Sequence, residues 1–588
     1  MPIPTVSGIF EKLLEAIGLD DGLLRIVTCA FLSFPFSVIY KRLPDNRFTI
    51  KNIYIIAVAA FYLVAILQLH GGLFTLAFSS AGTYFITKYV KLPSMPWLNF
   101  VFLMLHLAYS HIHAQFTPEA DKSKVDITGS QMVLVMKLSS FGWSLYDGRY
   151  GGESLTPYTK ARAIYHFPNL LSYMGYVLFY PSLLTGPAFD YLDYDKFIHS
   201  TLFDDVPKDR RPGKNRKRKI PRSGFPALKK TLQGLFFAML LLLSPKFVSV
   251  SYITSGALEL EHGFIYRVLY LWLLSFCCRL KYYTIWLIAE GGCIQCGIGY
   301  NGYNRETDSF LWNRVQNIDP IGFEFGQNMH KCLESWNMNT NKWLKNYVYI
   351  RASKKNKKPG FKSTLFTFMT SAFWHGTKPG YYLTFLLGAF LQTLGKIYRR
   401  NLRPVFLEND GVTPKKTKII YDVVCYFATQ LALSFAVQPF VVLDLDKSIY
   451  CWSIVYYYVA IAIVLTFVIF RGPFGPQLIA WLRSHLDMYV QGEGKPQEKP
   501  QPRAKLTEKE AATLKRTFNV KANEDDEKFS HISIGLPSID ELENMDTQEA
   551  WGDLKSIWKE FNKRSVEIKN ISPKEIYEDF HKEINESL

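Results

Sequence analysis

One histidine stands out by its setting. His375 lies in Thr370-Ser371-Ala372-Phe373-Trp374-His375-Gly376 at the end of an apolar stretch, and Pro379-Gly380-Tyr381 opens the next one. An imidazole near membrane depth can serve as a general base close to neutral pH. Glycines beside it let a ligand approach the backbone. A hydrogen-bonded histidine at a helix end fits the same position, and position alone leaves both roles open. A second group is Glu334-Ser335-Trp336-Asn337-Met338-Asn339-Thr340-Asn341-Lys342-Trp343. If it is helical, Trp336, Asn339 or Thr340, and Trp343 fall on neighbouring turns. Asparagine cannot abstract a proton, but its amide can orient a histidine or donate to a developing oxyanion. Interfacial tryptophan anchors with satisfied amides are the structural alternative. A third group, Arg279, Lys281, Tyr282, Tyr283, Trp286 and Glu290, lies in or beside an apolar run. It reads as a buried ion pair of Arg or Lys with Glu290 holding helices together. Lys354, Lys355, Lys357 and Lys358 suit phosphates or lipid headgroups, and equally a solvated basic loop.

The elements that must carry these residues are apolar. Of 588 residues, 48% are hydrophobic and 15% aromatic. The mean hydropathy of +0.00 conceals this, because apolar blocks alternate with charged loops and the end of the chain is polar. A membrane span needs about 20 mostly apolar residues. Residues 23–40, 53–69, 73–90, 97–113, 170–185, 232–252, 264–289, 381–397, 419–442 and 450–470 qualify. Residues 131–145 and 363–374 are shorter and carry Ser, Thr and Gly, as re-entrant or bundle-buried segments do. The expected fold is an all-α integral membrane protein, a polytopic bundle of about ten to twelve membrane helices. The net charge of +17 sits in loops such as residues 208–222, beside spans rather than in a nucleic-acid-binding module. Basic segments 41–51, 88–91, 208–230 and 351–362 compete for one membrane face, which points to at least one half-helix or re-entrant piece.

Three regions follow. Residues 1–22 form an acidic, amphipathic segment with Phe10, Leu13, Leu14 and Ile17 at helical spacing, unlike a cleavable signal. Residues 23–470 form the membrane domain. Residues 471–588 form a polar tail with a Gly/Pro/Lys-rich linker and short amphipathic helices, in which Trp551, Leu554, Trp558 and Phe561 share a face. Residues 291–360 are the long insertion inside the membrane domain, and their mixed aromatic and charged composition suits short helices at the interface or packed into the bundle. The 8 cysteines mostly lie in apolar runs and do not form a disulfide framework. Cys293 and Cys296 make a lone CxxC with too few companions for a metal. Neither a GxSxG elbow, a Walker A loop nor an HExxH zinc site is present.

At these residues the sequence resembles the membrane-bound O-acyltransferase family, in its lysophospholipid branch and most closely its fungal broad-specificity members. Trp374-His375-Gly376-Thr377-Lys378-Pro379-Gly380-Tyr381 resembles the WHGxxPGY motif, and Trp336 to Leu344 resembles WNxxTxxWL. Thr185 to Tyr191 and Lys281-Tyr282-Tyr283 to Glu290 also look like that branch. The resemblance covers roughly residues 23–470. It implies a helical bundle around a reaction chamber, with His375 as the catalytic residue and Asn337 as its partner. Trp336, Asn339, Trp343, Trp374, Gly376, Tyr283 and the four lysines at 354, 355, 357 and 358 become candidate substrate contacts. The implied co-substrate is acyl-CoA entering from the cytosol, the implied acceptor a lysophospholipid entering laterally at its free sn-2 hydroxyl, and the implied home the endoplasmic reticulum membrane. No metal or cofactor is needed. Two alternatives remain: the same fold acting on a sterol, diacylglycerol or protein, against which the Asn-type motif speaks, and a transporter with a midplane site, against which the absence of repeats speaks.

Overall fold

The computed structural model of the chain describes residues 8, 10, 21–117, 125–152, 155–213, 217–352, 361–408 and 413–491. These residues are overwhelmingly helical; among them the only ladder is a two-residue antiparallel hairpin pairing Tyr303 with Phe310 and Asn304 with Ser309. Four helical stretches are long and apolar enough to cross a membrane: Asp21–Tyr40, Phe48–Ile66, Gly224–Thr254 and Lys418–Val442. Leu445–Ser453 and Tyr458–Arg471 pass the same test as a pair bent by 75°. On Gly224–Leu243 the exposed side chains include Phe225, Leu232, Phe236 and Leu242, a face suited to lipid. Helices His70–Tyr89, Met95–Phe116, Thr128–Tyr150, Phe264–Cys296 and Pro379–Asn401 are each 20 residues or longer, but too polar to pass. The bundle therefore mixes helices apolar enough to span with equally long helices that are not, and length alone does not separate them.

An expected span changes character, and a segment read as re-entrant or bundle-buried proves to be bundle-buried. Residues 170–185 are not one helix. Leu170–Val177 gives way to the tight turn Tyr180–Ser182, because Pro181 and then Gly186-Pro187 interrupt helical hydrogen bonding. This stretch is apolar because protein surrounds it: Tyr173, Tyr176, Phe179 and Tyr180 are all buried. Residues 131–145 belong to the 23-residue helix Thr128–Tyr150, which we call α1. It is buried nearly all round, including Gln131, Lys137, Ser139, Ser140, Ser144 and Asp147. An interior helix can carry such residues where neighbouring helices supply their partners. The Phe264–Cys296 helix, α2, packs closely on Gly224–Leu243; a Cβ on Gly234 would lie 2.7 Å from Ile288 Cγ1.

The insertion packs into the bundle as short helices, including Met329–Ser335, Met338–Trp343 (α3) and the wide turn Leu344–Tyr349. Phe361–His375 (α4) and Pro379–Asn401 (α5) follow. Apolar side chains form two clusters. One gathers the helices before residue 207 together with Trp343, Leu344, Tyr347, Val348 and Trp374. The other gathers α2, α5 and residues 433–463, with Phe323, and Trp336 against its edge. The chain crosses the seam between the clusters at both sequence motifs. It passes from Trp336 to Trp343 through Asn337, and from Trp374 into α5 through Gly376. Both crossing residues have positive φ, 44° at Asn337 and 145° at Gly376, so the backbone reverses direction there.

Candidate active site

His375 is the last residue of α4, and its imidazole lies among rings. Ring centroids of Trp374, Tyr381, Phe385 and Phe440 are 4.7, 5.8, 5.2 and 5.1 Å away. The side chain is half-buried. Among the described residues neither ring nitrogen makes a hydrogen bond to protein, so both remain for a ligand or water. Gly376 follows in a conformation that L side chains rarely adopt, and a Cβ there would come within 2.8 Å of Tyr381 Cε2. His111, on Met95–Phe116, donates from Nε2 to the Trp374 carbonyl at 3.2 Å and fixes the turn that carries His375. Sequence reasoning did not single out His111. The signal was the run of His106, His111 and His113 at one end of an apolar helix.

Asn337 sits just before α3 with left-handed backbone geometry, which Asn tolerates better than most residues. Its Oδ1 accepts the Thr340 hydroxyl at 2.7 Å. That leaves the amide NH₂ as the free face, with no hydrogen bond among the described residues. Asn337 and His375 share no direct hydrogen bond there. Trp343 and Trp374, whose ring centroids are 6.0 Å apart, connect their two segments. Trp343 Nε1 donates to Ser139 Oγ at 2.8 Å, and Trp374 Nε1 donates to the Met132 carbonyl at 3.0 Å. Both tryptophans are therefore anchored to α1.

The other expected contacts sort differently. Trp336 precedes the helix, so it does not share a face with Trp343. It packs instead against Tyr282, Tyr283, Trp286 and Phe323, with centroids 5.1 to 5.8 Å away. Asn339 Nδ2 lies 3.2 Å from the carbonyls of Val315 and Gln316 and 3.1 Å from Asn317 Oδ1, tying the preceding loop to α3. Tyr283 is fully buried and donates to Glu324, a bonding role rather than an open substrate contact. Glu324 also takes a fork from Arg279, Nε at 2.8 Å and Nη2 at 2.7 Å. The expected pairing of Arg279 or Lys281 with Glu290 is thus corrected: Glu290 pairs with Lys230 at 2.9 Å. Each carboxylate meets the cation its own packing partner supplies, which spacing along one helix cannot reveal. Lys354, Lys355, Lys357 and Lys358 lie outside the described residues.

The sequence also contains an HxxxxD spacing, His199 to Asp204, of the kind used by another class of glycerolipid acyltransferases. Here it is not a site. His199 pairs with Asp195 at 3.4 Å, and Asp204 with Lys219 at 2.8 Å. Cys293 and Cys296 are buried free thiols. Among the described residues no group of three or more His, Cys, Asp or Glu side chains is placed to hold a metal.

With this geometry in view, residues 112–438 match the sequence profile described as MBOAT, membrane-bound O-acyltransferase family. The chain is similar to a lysophospholipid acyltransferase of Saccharomyces cerevisiae, 44% identical over 597 aligned residues, covering 99% of this chain and 95% of that protein. A lysophospholipid acyltransferase of Schizosaccharomyces pombe is 41% identical, covering 82% of this chain and 92% of that protein. A membrane-bound glycerophospholipid O-acyltransferase 2 of Gallus gallus is 29% identical, covering 66% and 73% respectively. The first of these alignments runs on into the polar tail, beyond the part of the chain that carries the motifs.

Proposed function

The chain belongs to the membrane-bound O-acyltransferase family, and from that membership we propose that it transfers a fatty acyl group from acyl-CoA to the free hydroxyl, at sn-2, of a lysophospholipid. The observation that carries this reading is His375: an imidazole enclosed by aromatic rings, with neither nitrogen committed to protein, at the seam where both motifs meet. A lysophospholipid hydroxyl is a poor nucleophile. His375 takes its proton as the oxygen attacks the thioester carbonyl. The tetrahedral oxyanion then needs a donor, and the free amide of Asn337 is suited to that task. Collapse expels the CoA thiolate, which the imidazolium reprotonates. Aromatic walls around His375 keep water from the thioester. The donor enters from the cytosolic side and the acceptor from the bilayer, and the enzyme resides in the endoplasmic reticulum membrane.

The test is an assay of the purified full chain with labelled acyl-CoA and a panel of lysophospholipids, with a sterol and diacylglycerol as competing acceptors. Transfer to lysophospholipids and not to the others is expected. His375→Ala should lower the rate on the order of 10²- to 10⁴-fold while thermal unfolding stays close to the parent. Turnover near the parent rate in a folded His375→Ala variant would end the assignment of the base.

A further inference from the structure

Lys137 lies within α1, is 2% exposed, and has no carboxylate in ion-pair range among the described residues. Its Nζ donates to the Tyr176 carbonyl at 2.5 Å and lies 4.4 and 5.0 Å from the ring centroids of Tyr176 and Phe189. A carbonyl dipole and two ring faces compensate an ammonium only in part, and a buried cation calls for an anion. Lys137 lines a partly open pocket. Arg162, Arg314 and Lys342 line it as well, so four cationic side chains face two carboxylates, Asp190 and Asp193. Arg162 pairs with Asp190 at 2.8 Å and Arg314 with Asp193 at 2.9 Å. Those two pairs build the wall and leave Lys137 outside them.

The pocket also touches the motif. Trp343 and Asn339 line it, and the Trp343 ring packs on Trp374, the residue beside His375. One aromatic layer therefore separates a cation-rich cavity from the segment that carries the reacting histidine. Both substrates of the proposed reaction bring phosphate: the donor in its CoA moiety, the acceptor in its phosphodiester. We infer that this pocket binds a substrate phosphate, with Lys137 as its buried ligand and Arg162, Arg314 and Lys342 shaping the field. The identity of the ligand rests on the acyl-transfer reading above; the anion preference of the pocket does not.

The experiment uses the purified full chain and two soluble probes, free CoA and glycerophosphocholine, each tested for thermal stabilisation by mass action. Lys137→Met removes the charge and keeps the length. It should raise KM for one substrate by roughly ten- to a hundredfold, the loss expected for a charged hydrogen bond. The thermal shift given by the matching probe should vanish. Loss of the CoA shift with a raised acyl-CoA KM identifies the donor phosphate. Loss of the glycerophosphocholine shift with a raised lysolipid KM identifies the acceptor phosphodiester. If Lys137→Met does not fold, Lys342→Met, on an exposed position of the same wall, should move the same KM by a smaller factor. Unchanged KM values and undiminished shifts for both probes in a folded variant overturn the inference. A parent protein that binds a probe through Lys137 yet transfers no acyl group sinks the reaction and leaves the pocket standing.

Discussion

At Asn337 a single residue meets two demands. Its backbone sits at φ 44°, where the chain turns from one apolar cluster to the other. Its side chain accepts from Thr340 and keeps the NH₂ free. Substitutions separate the two demands. Asn337→Ala loses the amide and strains the backbone by about 1–2 kcal/mol. Asn337→Gly loses the amide but relieves that strain. If the amide donates to the oxyanion, both variants should fall in rate on the order of 10²-fold or more, although only the Ala variant loses stability. Recovery of near-parent turnover by Asn337→Gly would show that the turn, and not the amide, is what the reaction needs. Asn337→Asp should also be slow, since a carboxylate repels a developing oxyanion.

At the scale of elements, α1 is the rail on which the motif segments are mounted. Ser139 and Met132 hold Trp343 and Trp374. Asp147 takes a fork from Arg351, at 2.9 and 2.6 Å, just past the wide turn 344–349. Tyr347 of that turn donates to Asp190 at 3.0 Å. Asp147 is almost fully buried, so Asp147→Ala leaves the guanidinium without its partner and should cost about 3–5 kcal/mol. Pairing it with Arg351→Met should recover much of that loss in thermal unfolding; a double variant as unstable as the single one would show that the ion pair is not the source. This rail explains what the sequence could and could not disclose. Residues 23–40, 53–69 and 419–442 were legible as helices because lipid and apolar protein both select continuous apolar runs. α1 was ambiguous because its Lys137, Ser139 and Asp147 find partners in distant segments that no local window contains. The stretch 170–185 was misjudged for the converse reason, since protein burial produced a span-like composition. His375 stood out by its setting, and motif resemblance gave it and Asn337 their roles. His111, Glu324 and Lys230 did not, because their roles arise only when helices far apart in sequence meet.

For the whole molecule, charge and apolar surface divide the labour. Residues 492–588 lie outside the described region, and the Gly/Pro/Lys-rich stretch that opens them reads as a linker. Truncation at Arg503 should therefore retain part of the activity; a stable truncated protein with none would show that the tail completes or gates the site. The net charge of +17 bears on the donor. CoA carries several phosphate charges, and basic side chains near an entrance concentrate such anions before any specific contact forms. Lys354, Lys355, Lys357 and Lys358 fall between Asn337 and His375 in sequence, directly after the Arg351 clamp and before α4. Reversing all four charges should raise KM for acyl-CoA more than KM for the lysolipid. Added salt should act in the same direction on the parent protein but more weakly, since exposed charges are screened beyond about 10 Å at 0.1 M. The fatty chain contributes separately: each buried CH₂ adds roughly 0.8 kcal/mol, so donors should bind better with length for as long as the added carbons are buried. Sealed microsomes make the measurement one of sidedness as well. Equal KM values for parent and charge-reversed protein would remove these four lysines from the donor's approach, and activity that appears only after permeabilisation would place donor entry on the lumenal face.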